Sequence, residues 1–356
     1  MKNVPVQKKV VLEPEAPEKS AIYNPFYFID KDEKEEDKRQ KLEQLVMLIV
    51  DVPKDVGSAN RYFLETGRLI FLAGMLSFYD IGMDFIDICK TIYFSDVDTL
   101  TTLIRKTGNT LALRYISQLS SDNEKNISGA KTELNKKIKL FADHTNMEKI
   151  IRRSLPDENT FHPDMLEESS VFLKVSDAKQ EFYTQFIRVV TAQVLEYLLG
   201  RTYDRKKDKR ILLALDEFAS IGHLDILAPF RKMRKNGCNL CILTQSLADI
   251  DLVYSEKERK VILDNSKYIA ILGATENTTR EYFSNLIGKE EVKRKSVSSG
   301  RGGGSTSIST QKDYIIQPEE WKDLKEKLVL LHPTGFIRLD RNYYFLQKQR
   351  KGTHEH

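Results

Sequence analysis

The sequence predicts an α/β protein that carries an all-helical domain in its first half. Two changes of pattern along the chain indicate this. From Leu42 to about Leu155 the apolar residues recur at helical spacing, and strand-like alternation is scarce. After Phe161, short apolar runs alternate with helical stretches. Strands that are apolar on both faces and alternate with helices are typical of a parallel sheet covered by helices on both faces.

The composition is that of a globular protein without a dominant charge. At 356 residues and 40% hydrophobic content, the chain is long enough for about two domains, which excludes a disordered protein. The formal net charge is only +4 on 30% charged residues, so any contact with nucleic acid depends on local patches. Three cysteines are too few for a disulfide framework and favour a reducing, cytosolic setting.

Residues 1–41 are predicted to form a tail and a segment that leads into the α/β part of the chain. Residues 1–21 carry three prolines among mixed charges and are expected to be irregular. A short strand is predicted at Ala21–Ile29. Lys31–Lys41 is almost entirely charged and is interpreted as the solvated start of a helix.

Residues 42–160 are predicted to form the all-α domain. The most apolar stretch, Leu69–Tyr79, is about half as long as a bilayer requires and is interpreted as a buried helix. Asp96 and Asp98 lie where a cap would start the helix that passes through Leu103. Because no transmembrane span and no secretory signal pattern is found, the chain as given is expected to be soluble.

Residues 161–356 are predicted to form the α/β domain. Its Gly- and Ser-rich stretch, 296–309, has no following Lys-Ser or Lys-Thr and is interpreted as a flexible linker. A hairpin is expected through Pro333–Gly335. The predicted strands are Val171–Ser176, Ile211–Leu215, Asn239–Leu243, Tyr268–Leu272, Leu328–Leu331 and Phe336–Leu339, and the predicted helices are about Asp177–Leu199, Leu224–Lys235 and Pro318–Lys325.

Two adjacent carboxylates follow the apolar run Ile211–Leu215. Asp216 and Glu217 are expected at the carboxyl end of the sheet, where ligands of open α/β folds bind. In nucleotide hydrolysis the first carboxylate would hold Mg²⁺ through water, and the second would polarise the attacking water. An apolar strand that ends in Asp-Glu can equally be a strand that meets a polar turn. The neighbouring residues therefore decide whether the motif indicates a functional site.

Those neighbours favour a functional site. The next strand, Asn239–Leu243, is followed by Gln245, whose uncharged polar side chain is placed to sense the γ-phosphate or the catalytic water. Cys238 and Cys241 are interpreted as buried structural thiols rather than a zinc site, because alternate strand positions point to opposite faces. The intervening helix carries a basic cluster, Arg231, Lys232, Arg234 and Lys235.

The run LLALDEFASIGHLDILAPFRKMRKNGCNLCILTQSLADIDLVY at 212–254 resembles the core of TraG/TraD-type conjugative coupling proteins. These are membrane-tethered, hexameric ATPases of type IV secretion. The resemblance extends over 262–273, 282–295 and 317–344, and more weakly over Tyr23–Phe26. It implies a partial RecA-like P-loop NTPase sheet with helices on both faces, plus an inserted all-α domain.

The resemblance also implies a role for each site residue. Asp216 would be the Walker B aspartate that holds Mg²⁺ through water, Glu217 the catalytic glutamate and Gln245 the sensor, so that these three residues line the ATP site. Arg234 would be an arginine finger that acts on the nucleotide of the neighbouring subunit. An arginine of this kind contributes about 10³ to 10⁵ in rate, which is why such enzymes work as assembled rings.

One departure from the family pattern is an absence. No GxxxxGK[ST] motif occurs in the sequence: Gly288-Lys289, for example, continues with Glu290. The family's two transmembrane helices before the P-loop are missing as well. We therefore expect an N-terminally truncated chain that does not hydrolyse ATP by itself.

The resemblance implies delivery of single- or double-stranded DNA, or of a relaxase bound to DNA, to a type IV secretion channel. The complete protein would be a homo-hexamer at the cytoplasmic face of the bacterial inner membrane, with relaxosome and channel proteins as partners. One alternative is a non-catalytic recognition module, whose helical domain binds DNA or relaxosome proteins through basic residues: Lys131, Lys136, Lys137, Lys139, Lys149, Arg152 and Arg153. Another is a DNA translocase fragment of the FtsK or HerA kind.

Overall fold

A computed structural model describes residues 8–53, 56–119, 123–300 and 303–343. By contact, the chain divides into two compact units. The first comprises Met1–Leu212, Ser220–Leu224 and Lys235–Asn239, and the second comprises Leu213–Ala219, Asp225–Arg234 and Leu240–His356. The three-part division at residues 41 and 160 stays a prediction. Residues 1–7 of the predicted tail and Tyr344, at the end of the resembling segment, lie outside the described residues.

Two short pairs of parallel strands enclose the helical part of the first unit. Strand β1 (Lys8–Leu12) and strand β2 (Ile22–Tyr23) precede it, and β3 (Thr160–Phe161) and β4 (Ser169–Leu173) follow it. β1 pairs with β4, and β2 pairs with β3. The chain thus leaves this paired region after residue 23 and returns to it at residue 160.

The prediction of an irregular stretch at residues 1–21 was wrong for Lys8–Leu12. Val10 and Leu12 have no exposed surface, because they lie in β1 against β4. The sequence did not predict this strand because two adjacent lysines begin it, prolines lie nearby, and its partner β4 is far along the chain. Of the strand predicted at Ala21–Ile29, only Ile22–Tyr23 is a strand, and a helical turn follows it.

The segment between β2 and β3 is helical, in agreement with the helical domain predicted from residue 42 onward. Asp96 caps the start of its fifth helix by accepting a hydrogen bond from the N–H of Thr99 at 2.7 Å. The helices are α1 (Tyr27–Asp30), α2 (Glu35–Ile49), α3 (Ser58–Asp80), α4 (Phe85–Phe94), α5 (Val97–Thr107), α6 (Thr110–Leu119), α7 (Glu124–Ala142) and α8 (Thr145–Ile150). After β4 comes α9 (Gln180–Gly200).

Helix α3 is the centre of this helical part. Phe71, Ala73 and Met75 are fully buried, which confirms that the apolar stretch Leu69–Tyr79 is a buried helix. A Cβ atom at Gly74 would lie 2.5 Å from Cδ1 of Ile92, so the glycine allows α3 and α4 to approach closely. No helix in the described ranges is both long enough and apolar enough to span a bilayer.

The second unit holds most of the later elements. Its strands are β5 (Ile211–Leu215) and β6 (Cys238–Ile242), which both begin in the first unit, then β7 (Ile269–Ile271), β8 (Lys289–Gly300), β9 (Gly303–Tyr314), β10 (Lys327–His332) and β11 (Gly335–Asp340). Its helices are α10 (Leu227–Lys232), α11 (Leu247–Val253), α12 (Glu256–Asn265) and α13 (Asn277–Ile287). β5 pairs with β6, β10 pairs antiparallel with both β7 and β11, and β8 pairs with β9.

Two predictions for this part of the chain were wrong. The Gly- and Ser-rich stretch 296–309, predicted to be a flexible linker, belongs to the antiparallel strands β8 and β9 except for residues 301–302, which lie outside the described residues. Backbone hydrogen bonds between strands do not depend on apolar side chains, so composition did not reveal them. The helix predicted at Pro318–Lys325 is a short 3₁₀ helix, Pro318–Lys322. The predicted hairpin near the C-terminus is confirmed as β10 and β11.

Candidate functional site

The carboxyl ends of β5 and β6 lie side by side. The N–H of Ile211 donates to the carbonyl oxygen of Gly237 at 3.1 Å, and the N–H of Leu243 donates to that of Leu215 at 2.9 Å. Early residues of one strand thus pair with early residues of the other, so the two strands run in the same direction. The residues that follow each strand consequently emerge at the same edge.

The beginnings of both strands are held by one buried cation. The guanidinium of Arg201 forms an ion pair with Glu167 at 2.6 Å and leaves 3% of its side-chain surface exposed. It also donates to the carbonyl oxygens of Lys209, just before β5, and Asn236, just before β6. Hydrogen bonding to Arg201 lowers the pKa of Glu167, so this pair stays charged at neutral pH.

Glu217 adopts a backbone conformation that side chains disfavour. Its φ is +47°, in the left-handed region, and its N–H donates to Oδ1 of Asp216 at 3.1 Å. The next residue, Phe218, is fully buried and stacks on Tyr254 with a centroid separation of 5.2 Å. The N–H of Phe218 also donates to the carbonyl oxygen of Leu243. Phe218 therefore fixes the turn that holds Glu217 in its strained conformation.

Gln245 reaches across to Glu217. Its Nε2 lies 3.3 Å from Oε1 and 3.5 Å from Oε2 of the carboxylate, and both side chains are exposed. These long, shared hydrogen bonds orient the carboxylate without burying it. A carboxylate and an amide in this arrangement can together hold a water molecule, the first as acceptor of its proton.

Arg234 lies apart from this pair. It sits in a 3₁₀ helix, Met233–Asn236, that continues α10, and its side chain is exposed. Among the described residues it makes no hydrogen bond or ion pair, and the structure does not bring it into contact with Asp216, Glu217 or Gln245.

The chemistry of Asp216 fits a magnesium ion held mainly by other ligands. One oxygen of its exposed carboxylate accepts the N–H of Glu217, and the second makes no hydrogen bond within the described ranges. No cluster of three or more His, Cys, Asp or Glu that could enclose a metal ion occurs in the described part of the chain. Mg²⁺ in nucleotide sites typically keeps several waters and binds phosphate oxygens, so one or two protein carboxylates are sufficient.

The strands beside the site leave one face open. Cys241 and Leu243 at β6, Ala214 on β5 and Leu272 after β7 are exposed, with 46% of Leu243 and 57% of Leu272 accessible to solvent. Among the described strands, β6 pairs only with β5, and β7 pairs only with β10. These strands therefore carry exposed apolar side chains beside the site. Cys238 is buried as predicted, but Cys241 is not.

Sequence reasoning missed three residues that build the site. Phe218 follows Asp216-Glu217 directly, and its large apolar side chain after two carboxylates is a signal that could have been used. Arg201 and Tyr254 carry no local signal, because their partners are distant in sequence.

The basic residues considered for nucleic-acid binding in the helical part are mostly neutralised. Lys131 is 6% exposed and donates to the carbonyl oxygen of Tyr93 and to Asn135. Five others form ion pairs of 2.5–2.9 Å: Lys136 with Glu133, Lys137 with Asp51, Lys139 with Asp143, Arg152 with Glu158, and Arg153 with Asp30 and Asp84. Of the seven, only Lys149 has no partner among the described residues.

Known proteins resemble this chain in sequence and in fold. The type IV secretion system-coupling proteins VirD4 of Bartonella henselae and Bartonella quintana are each 24% identical to it over 189 residues. These matches cover 51% of the chain but only 29% of each relative. The conjugative coupling protein TrwBdeltaN70 in its unbound form superimposes with a TM-score of 0.72 at 19% identity, covering 94% of this chain and 73% of TrwBdeltaN70.

A TrwB structure in complex with ADP and Mg²⁺ superimposes with a TM-score of 0.71 at 18% identity, covering 94% of this chain and 73% of that one. At this identity the superposition establishes the fold alone, a RecA-type ATPase fold with an all-helical domain. The family described as "Type IV secretory system Conjugative DNA transfer" matches residues 1–355. Since that match covers nearly the whole sequence, the chain belongs to this family of TraG/TraD-type coupling proteins.

Proposed function

We infer that this chain supplies the hydrolysing and sensing half of the nucleotide site of a coupling-protein ATPase. The observation that carries the proposal is the pair formed by Glu217 and Gln245 at the common edge of β5 and β6, with Asp216 beside it. An exposed carboxylate that an amide orients can act as the general base that activates a water molecule, and backbone strain of the kind seen at Glu217 clusters at functional sites.

Each residue has a distinct task. Asp216 would hold Mg²⁺ through water, and the ion would offset charge on the ATP phosphates. Glu217 accepts the proton of the attacking water, and Gln245 orients that water and responds to the γ-phosphate. The exposed side chain of Arg234 is free to act on the nucleotide of a neighbouring subunit, which requires a homo-hexameric ring.

The phosphate-binding half must come from another segment. The sequence contains no GxxxxGK[ST], the motif whose glycine-rich loop and lysine grip a triphosphate. Among the described strands β6 pairs only with β5, and the side chains of Cys241 and Leu243 are exposed. A further strand that leads into such a loop and a helix would fit beside β6. We expect the 356 residues alone to be inactive as an ATPase.

The substrates and partners follow from the family. The complete protein would deliver DNA, single- or double-stranded, or a relaxase bound to DNA, to a type IV secretion channel at the cytoplasmic face of the bacterial inner membrane. The names of the VirD4 and TrwB relatives support this assignment. The recognition-module alternative has less support, because six of its seven basic residues are neutralised or buried.

The test uses the chain joined to a segment that carries a P-loop. Glu217→Gln should reduce ATP turnover by at least about a hundredfold while nucleotide binding persists, because the substitution removes the proton acceptor but not the phosphate-binding groups. The matched control is Glu181→Gln, since Glu181 is an exposed carboxylate on α9. Unchanged ATP turnover in Glu217→Gln would refute the catalytic role of Glu217. If the 356-residue chain alone hydrolysed ATP as fast as the extended chain, the proposal that the phosphate-binding half lies on another segment would be refuted.

A further inference from the structure

The strands β8 and β9 form a two-stranded ribbon that pairs only with itself among the described strands. Its register runs from Lys289 opposite Tyr314 to Gly300 opposite Gly303, so each strand spans twelve residues, or roughly 40 Å. Two-stranded sheets of this kind are marginally stable in water unless another surface packs on them.

The described hydrogen bonds that join the ribbon to the rest of the second unit all lie at its base. The hydroxyl of Tyr314 donates to Oδ1 of Asn285 at 3.1 Å, and the N–H of Ile315 donates to the carbonyl oxygen of Gly288 at 3.2 Å. The side chain of Gln317 donates to Asp313. The ribbon is therefore anchored at one end.

Beyond the acidic residues at its base, the ribbon carries only basic charges. No Asp or Glu lies between Glu291 and Asp313, whereas this interval holds five Lys and Arg residues. In its described part, Lys293 and Lys312 are exposed and form no ion pair, while Arg294 pairs with Asp313 at 2.6 Å. This differs from the helical part, where five of the seven basic residues considered have a carboxylate partner.

The register places the two unpaired lysines on one face. Lys293 lies opposite Thr310, and Lys312 lies opposite Glu291, two residues before Lys293. Positions two apart on a strand, and positions directly opposite across the pair, share a face. Lys293, Thr310 and Lys312 consequently share one face with Glu291, and the two lysines give the described part of this face a net positive charge.

We propose that this face of the β8–β9 ribbon binds the phosphate backbone of double-stranded DNA. Two paired strands fit the major groove, which is about 12 Å wide, and lysine and threonine side chains are common phosphate ligands at its walls. The proposal rests on the proposed function, in which the chain acts on DNA, and it specifies the surface that does so.

The experiment measures binding of the full chain to a 30-base-pair duplex, and to a single strand of equal length, by fluorescence anisotropy across a salt series. The test variant is Lys293→Gln/Lys312→Gln. The matched control is Lys136→Gln/Lys139→Gln, which removes the same charge from two exposed lysines that already have carboxylate partners.

The test variant should bind the duplex at least about tenfold more weakly at about 0.1 M salt, and the slope of log affinity against log salt should fall by about 2. The control should retain the wild-type slope, and the loss on the single strand should be smaller than on the duplex. Equal affinities of wild type and test variant would overturn the ribbon assignment while leaving DNA as a substrate.

Two further outcomes would also overturn the proposal. A wild-type chain that binds no DNA at low salt would remove both the ribbon assignment and DNA as the proposed substrate of this chain, while the ATP-turnover test of Glu217 stays independent. A test variant that keeps its duplex affinity but changes the molar mass of the protein in light scattering would identify the ribbon as a contact between subunits.

Discussion

The N–H of Phe218 donates to the carbonyl oxygen of Leu243 at 2.9 Å, and this bond joins the turn that contains Glu217 to the residue two positions before Gln245. Because Phe218 is also fully buried, neither end of the Glu217–Gln245 pair can shift without disturbing the other. The geometry of the site is thus set by the backbone and one buried ring rather than by the exposed side chains that perform the chemistry.

The strained backbone at Glu217 predicts a gain in stability when the residue is replaced. Glu217→Gly should raise the free energy of unfolding by about 1 kcal/mol, since glycine adopts a φ of +47° without steric cost. Glu217→Gln, which keeps the strain and loses the charge, should show no such gain. Urea titration of the two variants measures the difference, and a Glu217→Gly protein less stable than Glu217→Gln would contradict it.

The reactivity of the cysteines toward a thiol reagent measures how exposed the open face beside the site is. Burial raises the pKa of the thiols of Cys89 and Cys238, whereas Cys241 is exposed. A thiol reagent should therefore modify one cysteine per native chain, and Cys241→Ser should abolish that reaction.

In a chain extended by a P-loop segment, the added strand should cover β6 and slow the modification of Cys241 at least about tenfold. Mass spectrometry gives the site and the rate. Undiminished modification of Cys241 in an extended chain that binds nucleotide would show that the segment does not cover this face.

The carboxylate of Glu276, which caps the start of α13, is expected to contribute to the stability of the fold in a way that acid removes. Glu276 accepts hydrogen bonds from the N–H groups of Thr278 and Thr279 at 2.7 and 2.6 Å, and bonding to Thr279 is the main cause that lowers its pKa from 4.5 to about 2. Its stabilising effect is present above pH 4.5 and is lost as the pH falls toward 2.

Glu276→Ala should therefore cost about 1 kcal/mol at pH 6 and progressively less below pH 4. Urea unfolding at both pH values tests this, with Glu281→Ala on the same helix as the comparison. A cost of Glu276→Ala that does not change with pH would exclude the charged cap.

Lys131 predicts a pH dependence of stability in the alkaline range. Burial lowers its pKa from 10.5 to about 8, so the unfolded chain binds more protons than the native one between these values. Stability should rise with pH across that window because of this group, by no more than about 3 kcal/mol. Urea unfolding at pH 7.5 and 10 measures this increase in the free energy of unfolding. Lys131→Met should show a smaller increase than the wild type, and the control Lys136→Met, at an exposed lysine, should show the wild-type increase. Parallel curves for wild type and Lys131→Met would contradict the assignment.

The sequence predicted those parts of the fold that depend on local pattern. An apolar run that ends in charged residues marks a strand and its end, and β5 begins and ends at the predicted residues. Gln245 was placed near Glu217 by the same reasoning, since parallel strands end at one edge of a sheet. The buried helix at Leu69–Tyr79 followed from its length and apolarity.

The parts that escaped prediction depend on distant partners or on backbone conformation. β1 is a strand because β4 lies beside it, and nothing near Lys8 indicates this. The left-handed φ of Glu217 results from the anchoring of Phe218, which involves Leu243 and Tyr254. The open face of β6 was missed because exposure depends on what covers a strand, which its own composition does not reveal.

The pairing of β1 with β4 has a consequence for synthesis on the ribosome. Lys8–Leu12 leaves the exit tunnel well before its partner, Ser169–Leu173, which is translated only after all of α1–α8. At usual elongation rates this delay is roughly 10 s or more, during which Val10 and Leu12 have no strand to pair with. The helices between them can fold in that interval, since their contacts are closer in sequence. Strand β1 therefore stays unpaired until α1–α8 have been made, and it remains within reach of chaperones until then.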